Sequence, residues 1–218
     1  MQRCFWTIAV CFLAVGLTPA PGRLEGVVLS PGGAPVAGAL VQAADMTRPS
    51  IGIWPQAYSG PDGHFRIDGF RGGAAPVTFW VGKPDDFYPE MAGDFYTSRP
   101  PTVVRTTADG SATGVKVYLA PQCGRLQGTV AEAGTGNPVV ASVDMWRVGR
   151  PNAYFGASSS LWGTFEALVP TVPVVVYVHA QGYEPWFYPG TSSSSKAKPL
   201  VIAARQTITL KITLRKQK

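Results

Sequence analysis

The chain has 218 residues, and its 25 glycines and 20 prolines make up about a fifth of it, against roughly 12% in an average protein. Only 15% of residues are charged while 45% are hydrophobic and 11% aromatic, which excludes a disordered polyelectrolyte; no Gly-X-Y period or heptad is present, which excludes collagen and coiled coil. The formal net charge of +6 is dispersed apart from the tail Lys211, Arg215, Lys216 and Lys218, so what remains is a turn-rich, all-β globular protein.

Residues 1–20 carry one charge, Arg3, then an apolar run from Cys4 to Leu17, then Thr18-Pro19-Ala20. This is the pattern of a secretory signal peptide, and the run of about fourteen residues is short of the roughly twenty that a membrane span needs. The expectation is a secreted or periplasmic, cell-envelope protein with no membrane span after cleavage and no nucleic-acid partner. Loss of Arg3 takes the charge from +6 to +5, which leaves attraction to anionic envelope polymers open. Cys4 and Cys11 fall within the leader, so Cys123 is alone and closes no internal disulfide. It is expected as a buried free thiol between two domains.

Past the leader the chain repeats itself. Gly22-Arg23-Leu24-Glu25-Gly26-Val27-Val28 returns as Gly124-Arg125-Leu126-Gln127-Gly128-Thr129-Val130, 102 residues later. Pro35-Val36 matches Pro138-Val139, Gly63-x-Phe65 matches Gly163-x-Phe165, and Pro76-Val77-x-x-Trp80-Val81 matches Pro173-Val174-x-x-Tyr177-Val178. Val115-x-Val117-x-Leu119 and Leu210-x-Ile212-x-Leu214 close the two copies. Two domains are predicted, over 21–121 and 122–218.

Within each copy the apolar residues alternate with period 2, as in Leu24, Gly26, Val28 and in Phe65, Ile67. Ser30-Pro31-Gly32-Gly33, Gly60-Pro61-Asp62-Gly63 and Arg71-Gly72-Gly73 supply turns between these runs. Short strands with such spacing predict β-sandwiches. Ser192 to Lys198 reads as a flexible loop before the last strand.

Gly26-x-Val28, Pro35-Val36-x-Gly38-Ala39-x-Val41 and Asp62-Gly63-x-Phe65-x-Ile67-x-Gly69-Phe70-x-x-Gly73 resemble the carboxypeptidase regulatory-like domain over most of residues 22–121. The second copy is similar but degraded, with Trp162-Gly163 in place of Asp-Gly; its Gly182-Tyr183-Glu184-Pro185-Trp186-Phe187-Tyr188-Pro189-Gly190-Thr191 resembles a Tyr-Tyr-Pro-Gly segment of bacterial members. The resemblance implies two tandem transthyretin-like, seven-stranded antiparallel β-sandwiches of the carbohydrate-binding-like type. It also implies an accessory module of exported bacterial proteins, without peptidase activity.

The residues for catalysis are sparse. His64 is followed three places on by Ile67 and His179 by Gly182, so the His-x-x-Glu pair of a carboxypeptidase zinc site is missing. The ending Leu214-Arg215-Lys216-Gln217-Lys218 differs from the Tyr-Arg-Gly-Ser of transthyretin-like hydroxyisourate hydrolases, and the paired histidines of intradiol dioxygenases are lacking. Asp85, Asp86, Glu90 and Asp94 cluster without EF-hand spacing. No catalytic residue, metal ligand or cofactor is expected.

Aromatic residues are the remaining signal. Trp54, Tyr58, Tyr88 and Tyr96 in the first copy, and Tyr154, Trp162, Tyr183, Trp186 and Tyr188 in the second, are predicted in loops. Exposed, they would offer ring faces to a sugar or another cell-envelope polymer, whose hydroxyl edges need hydrogen bonds. Buried, they would cap the sandwiches or pack the domains together. The reading taken is a non-catalytic binding module that recognises carbohydrate or a cell-envelope polymer through these aromatics, favoured if they share one face; the alternatives are a structural spacer or an assembly partner for another surface protein, favoured if they lie at the domain junction, and, third, an unrecognised hydrolase.

Overall fold

A computed structural model describes residues 22–45, 54–70, 73–90 and 93–217; the leader predicted over 1–20 lies outside them. Strand pairing follows the repeat. The first copy contributes β1 (Gly22–Leu29), β2 (Leu40–Asp45), β3 (Gln56–Tyr58), β4 (His64–Phe70), β5 (Pro76–Gly82), β6 (Thr102–Arg105) and β7 (Ala112–Tyr118). The second contributes β8 (Gly124–Glu132), β9 (Ser142–Arg147), β10 (Arg150–Ser158), β11 (Thr164–Val169), β12 (Val174–His179), β13 (Trp186–Phe187) and β14 (Thr207–Leu214). Each copy forms a three-stranded sheet, β4-β1-β7 or β11-β8-β14, facing a four-stranded one, β3-β2-β5-β6 or β10-β9-β12-β13. The fold is thus a tandem of seven-stranded sandwiches. The segment read as a flexible loop before the last strand contains a 3-10 turn over Ser194–Lys196.

The resemblance implied antiparallel strands throughout, but not all of them are. β1 pairs β7, and β8 pairs β14, in parallel. Connectivity permits it: the first and last strands of each copy are separated by the whole domain, well beyond the roughly dozen residues that a parallel crossover needs.

Alternation decides which side chains are buried. Leu24, Val28, Val41, Phe65, Phe79 and Val117 fill the first core. Leu126, Val130, Val143, Met145, Phe165 and Ile212 fill the second. The repeated glycines Gly26 and Gly128 stand where a strand passes between a parallel neighbour and an aromatic ring. A Cβ there would lie 2.1 Å from the carbonyl oxygen of Val115 or Leu210, and within 3 Å of the Phe65 or Phe165 ring. Real side chains do not fit that space, which is why the motif carries glycine in both copies.

A buried serine is repeated as well. The Ser59 hydroxyl donates to the Val36 carbonyl at 2.7 Å and accepts from the Ala39 amide at 2.9 Å. Ser159 makes the same pair with the Val139 carbonyl, 3.0 Å, and the Ala141 amide, 2.8 Å. Each hydroxyl satisfies two backbone groups that the chain turning into the next strand would otherwise bury unpaired.

The two sandwiches are joined by the segment between β5 and β6. Phe95, only 3% exposed, belongs to the second core although its chain segment belongs to the first domain. Its ring stacks on Phe155 at 5.7 Å and meets Tyr96 edge-on at 5.0 Å. Nearby, the Arg125 guanidinium lies 4.9 Å over the Phe87 ring and donates to the Pro84 carbonyl at 3.2 Å. The Cys123 amide donates to the Phe87 carbonyl, and Arg205 pairs with Asp86 at 2.8 Å. Burying a phenylalanine contributes about 1.5–3 kcal/mol, whereas an exposed ion pair such as Arg205–Asp86 contributes about 0–1 kcal/mol. Of these contacts the buried ring therefore outweighs the ion pair.

Candidate functional site

The structure distributes the nine predicted aromatics over several places instead of one. Tyr96 lies at the joint, where burial first, and then the neighbouring Cys123, pushes its phenol well above the usual range. Tyr88 packs against the first core, and burial raises its phenol too. Tyr183, Trp186 and Tyr188 pack against the second core. The Tyr183 hydroxyl donates to Glu132 at 2.8 Å, and that bond, followed by the one from Lys216, lowers the Glu132 carboxyl below its ordinary value. Trp54 is half-buried just ahead of β3.

Three of the nine are well exposed. Tyr58 sits on edge strand β3 and Tyr154 on edge strand β10, so both are strand residues where the sequence suggested loops. Trp162 is 81% exposed at the tip of the β10–β11 turn, beside Leu161 at 82%. The hydroxyls nearest that tip are engaged: Ser160 Oγ lies 2.7 Å from Thr164 Oγ1 and accepts from the Trp162 and Thr164 amides. The tip offers apolar surface without free polar edges.

Around Tyr154 the outer face of the second four-stranded sheet holds a group that loop-based reasoning missed. Tyr154 donates its hydroxyl to Asp144 Oδ1 at 2.7 Å, and His179 Nε2 lies 3.0 Å from Asp144 Oδ2. The Asp144 carboxylate raises the Tyr154 phenol chiefly through that hydrogen bond. The Tyr154 ring lies across Gly156, where a Cβ would come 2.7 Å from its hydroxyl and 3.3 Å from Cζ. Glycine thereby lets the ring lie down on the sheet, pinned at its hydroxyl, with Tyr154 still 55% exposed. Next to it Tyr177 is stacked between His179, at 5.0 Å, and Phe187, at 4.7 Å, and Trp146 meets it edge-on at 6.3 Å. Trp146, Tyr177 and Phe187 are half-buried in these contacts, whereas Tyr154 is exposed.

The sequence signal for this face is strand parity. Val143 and Met145 point into the core, so Asp144 and Trp146 point out; Val176 and Val178 point in, so Tyr177 and His179 point out. The first copy has Gln42 and Trp80 in the positions of Asp144 and Tyr177, and Gly82 where His179 would be, so the acid–histidine pair belongs to the second sandwich alone.

Among the described residues no group of three or more His, Cys, Asp and Glu is arranged to hold a metal ion, and no helix is long and apolar enough to cross a membrane. Cys123 is buried, and burial pushes its thiol up to about 12, so at neutral pH it is protonated and a poor nucleophile.

No protein-family model and no curated protein matches the chain. Among solved structures it is similar to the Bacillus anthracis TIE protein, with 11% identity over 90% of this chain and 34% of that one at a TM-score of 0.36. It is also similar to the Streptococcal ancillary pilin, at 10% identity, 90% and 62% coverage and TM-score 0.37. The shaft pilin SpaA from Lactobacillus rhamnosus GG gives 12% identity, 90% and 98% coverage and TM-score 0.35. The chain spans about a third of the first of these and less than two thirds of the second. Likenesses this distant carry no argument about what the chain does.

Proposed function

We propose that the chain is a secreted or periplasmic, non-catalytic module of the cell envelope whose two sandwiches, of the carboxypeptidase regulatory-like type, act as one stiff unit that spaces or assembles other surface components. The observation that supports this reading most is Phe95, a first-domain residue seated in the second core. A flexible pair of domains would have no use for a shared core residue; a spacer needs one. Small-angle scattering of the whole chain tests it. One compact two-lobed envelope for the wild type, broadened by Phe95→Ala, supports the stiff unit; a wild type already as broad as the variant refutes it.

A second reading, contact with carbohydrate or another cell-envelope polymer, is favoured by Tyr154. A ring immobilised flat on a sheet, next to a carboxylate and an imidazole, provides a stacking surface and hydrogen-bonding partners without ordering a loop. Its test is a polysaccharide-binding comparison of wild type with Tyr154→Ala. Retention of all binding in that variant removes the outer face from consideration.

A further inference from the structure

The second sandwich has an open cleft of about 570 Å³ between its last strand and the loop before it, lined among others by Glu184, Trp186, Thr191, Lys211, Thr213 and Arg215. We propose that this cleft binds an anionic saccharide, a sugar chain bearing carboxylate or phosphate groups. This adds a ligand site to the module and stands whether or not the two sandwiches form a stiff unit.

Three observations carry it. First, Lys211 and Thr213 on β14 and Arg215 just past its end are all exposed, while Ile212 and Leu214 between them are buried, so the three lie on the outward side of the chain. Among the described residues neither Lys211 nor Arg215 is in an ion pair, in contrast to Lys216, which is bonded to Glu132 at 3.1 Å. Two free cations on one side of the chain suit two negative groups along a polymer.

Second, the rest of the lining suits a sugar better than a bare polyanion. Thr191 and Thr213 supply hydroxyls, Trp186 supplies a ring that is packed on the core and so held in place, and Glu184 is a carboxylate that repels dense negative charge but accepts from sugar hydroxyls. The volume is in the range of small-molecule and oligosaccharide sites.

Third, the first copy serves as an internal control. The repeat places Tyr118 where Thr213 stands and Ala120 where Arg215 stands. There the Arg99 guanidinium covers the Tyr118 ring at 4.4 Å, and with Pro100, Pro101 and Tyr118 it lines a seam of about 30 Å³. The fold is satisfied with a seam that small. The second copy has threonine in place of that aromatic and arginine in place of the alanine, while the lysine is common to both, Lys116 and Lys211, so Thr213 and Arg215 are what distinguish the second copy's cleft.

The test is titration calorimetry of the whole chain at low salt against four probes: a polygalacturonate, a glycerol-phosphate polymer, a neutral dextran and polyglutamate. Comparison variants are Lys211→Gln with Arg215→Gln, and Thr213→Tyr, which puts the first copy's ring into the cleft. The expected result is binding of the polygalacturonate, the glycerol-phosphate polymer or both, weakened at least ten-fold in each variant, with dextran and polyglutamate unbound and melting temperatures unchanged. Which of the two polymers binds identifies the source of the negative charge. The proposal is overturned if neither polymer binds, if the variants bind as the wild type does, or if polyglutamate binds as tightly as the sugars, since Lys211 and Arg215 then act only as a diffuse cationic patch. A Tyr154→Ala protein that keeps this binding separates the cleft from the outer face.

Discussion

Phe95 and Phe155 stack at 5.7 Å with their planes 19° apart, although Phe95 comes from the segment between β5 and β6 of the first sandwich and Phe155 from β10 of the second. A phenylalanine so completely buried contributes more to the joint than the exposed ion pair beside it. Phe95→Ala is expected to cost about 3–5 kcal/mol. In differential scanning calorimetry one transition is expected for the wild type and two for the variant, because each sandwich keeps its own core but loses the shared residue. An unsplit transition at the wild-type temperature would show that the joint does not depend on this ring.

The ion pair at the same joint predicts the opposite. Asp86 and Arg205 meet at 2.8 Å, but the side chains are 32% and 61% exposed, so solvent screens them. Arg205→Ala should change stability by less than about 1 kcal/mol. Chemical denaturation of the variant and the wild type, run side by side, measures the difference, and a loss of several kcal/mol would mean that the joint is electrostatic after all.

The sandwich architecture was legible because period-2 alternation and repeated turn residues are local properties. Leu24-Gly26-Val28 and Leu126-Gly128-Val130 show their inward faces in the sequence itself. The parallel direction of β7 and β14 was not legible, since direction depends on a crossover of the whole domain. The aromatics show the same division. Tyr154 and Trp162 are exposed and Tyr96 is half-buried, yet all three look alike in sequence, because exposure is decided by what packs from elsewhere in the chain. Strand parity did mark Asp144, Trp146, Tyr177 and His179 as outward-facing; attention to loops passed over them. The cleft beside β14 needed the structure, because only there does the loop before the last strand stand away from Thr213 and Arg215 while Arg99 covers Tyr118 in the other copy.

The repeated buried serines give a matched pair of substitutions. Ser59→Ala and Ser159→Ala each remove a hydroxyl that serves one carbonyl and one amide, with little change in volume. Each should cost about 1–3 kcal/mol, the penalty for leaving a buried polar group unpaired. Near-equal losses by urea denaturation are expected because the two geometries agree. A neutral outcome for both would indicate that water replaces the hydroxyl.

The joint also predicts a loss of stability in alkali. The Cys123 thiol, 1% exposed, has its pKa raised by burial from 9.0 to about 12, and the neighbouring Tyr96 phenol is raised above 10.0 by burial and by Cys123. In both groups the folded state holds a proton that the unfolded chain has already released. Their contribution is therefore fully present below about pH 9 and is lost as pH rises, through Cys123 between about 9 and 12 and through Tyr96 above 10. Each group steepens the decline by up to about 1.4 kcal/mol per pH unit. Urea midpoints between pH 8 and pH 11 should fall, and Cys123→Ala should flatten the part between pH 9 and pH 10. The same burial makes the thiol unreactive toward a disulfide reagent at pH 8 until denaturant is added. Rapid labelling of the native protein at that pH would mean that the joint opens readily, and the stiff two-sandwich unit would fail with it.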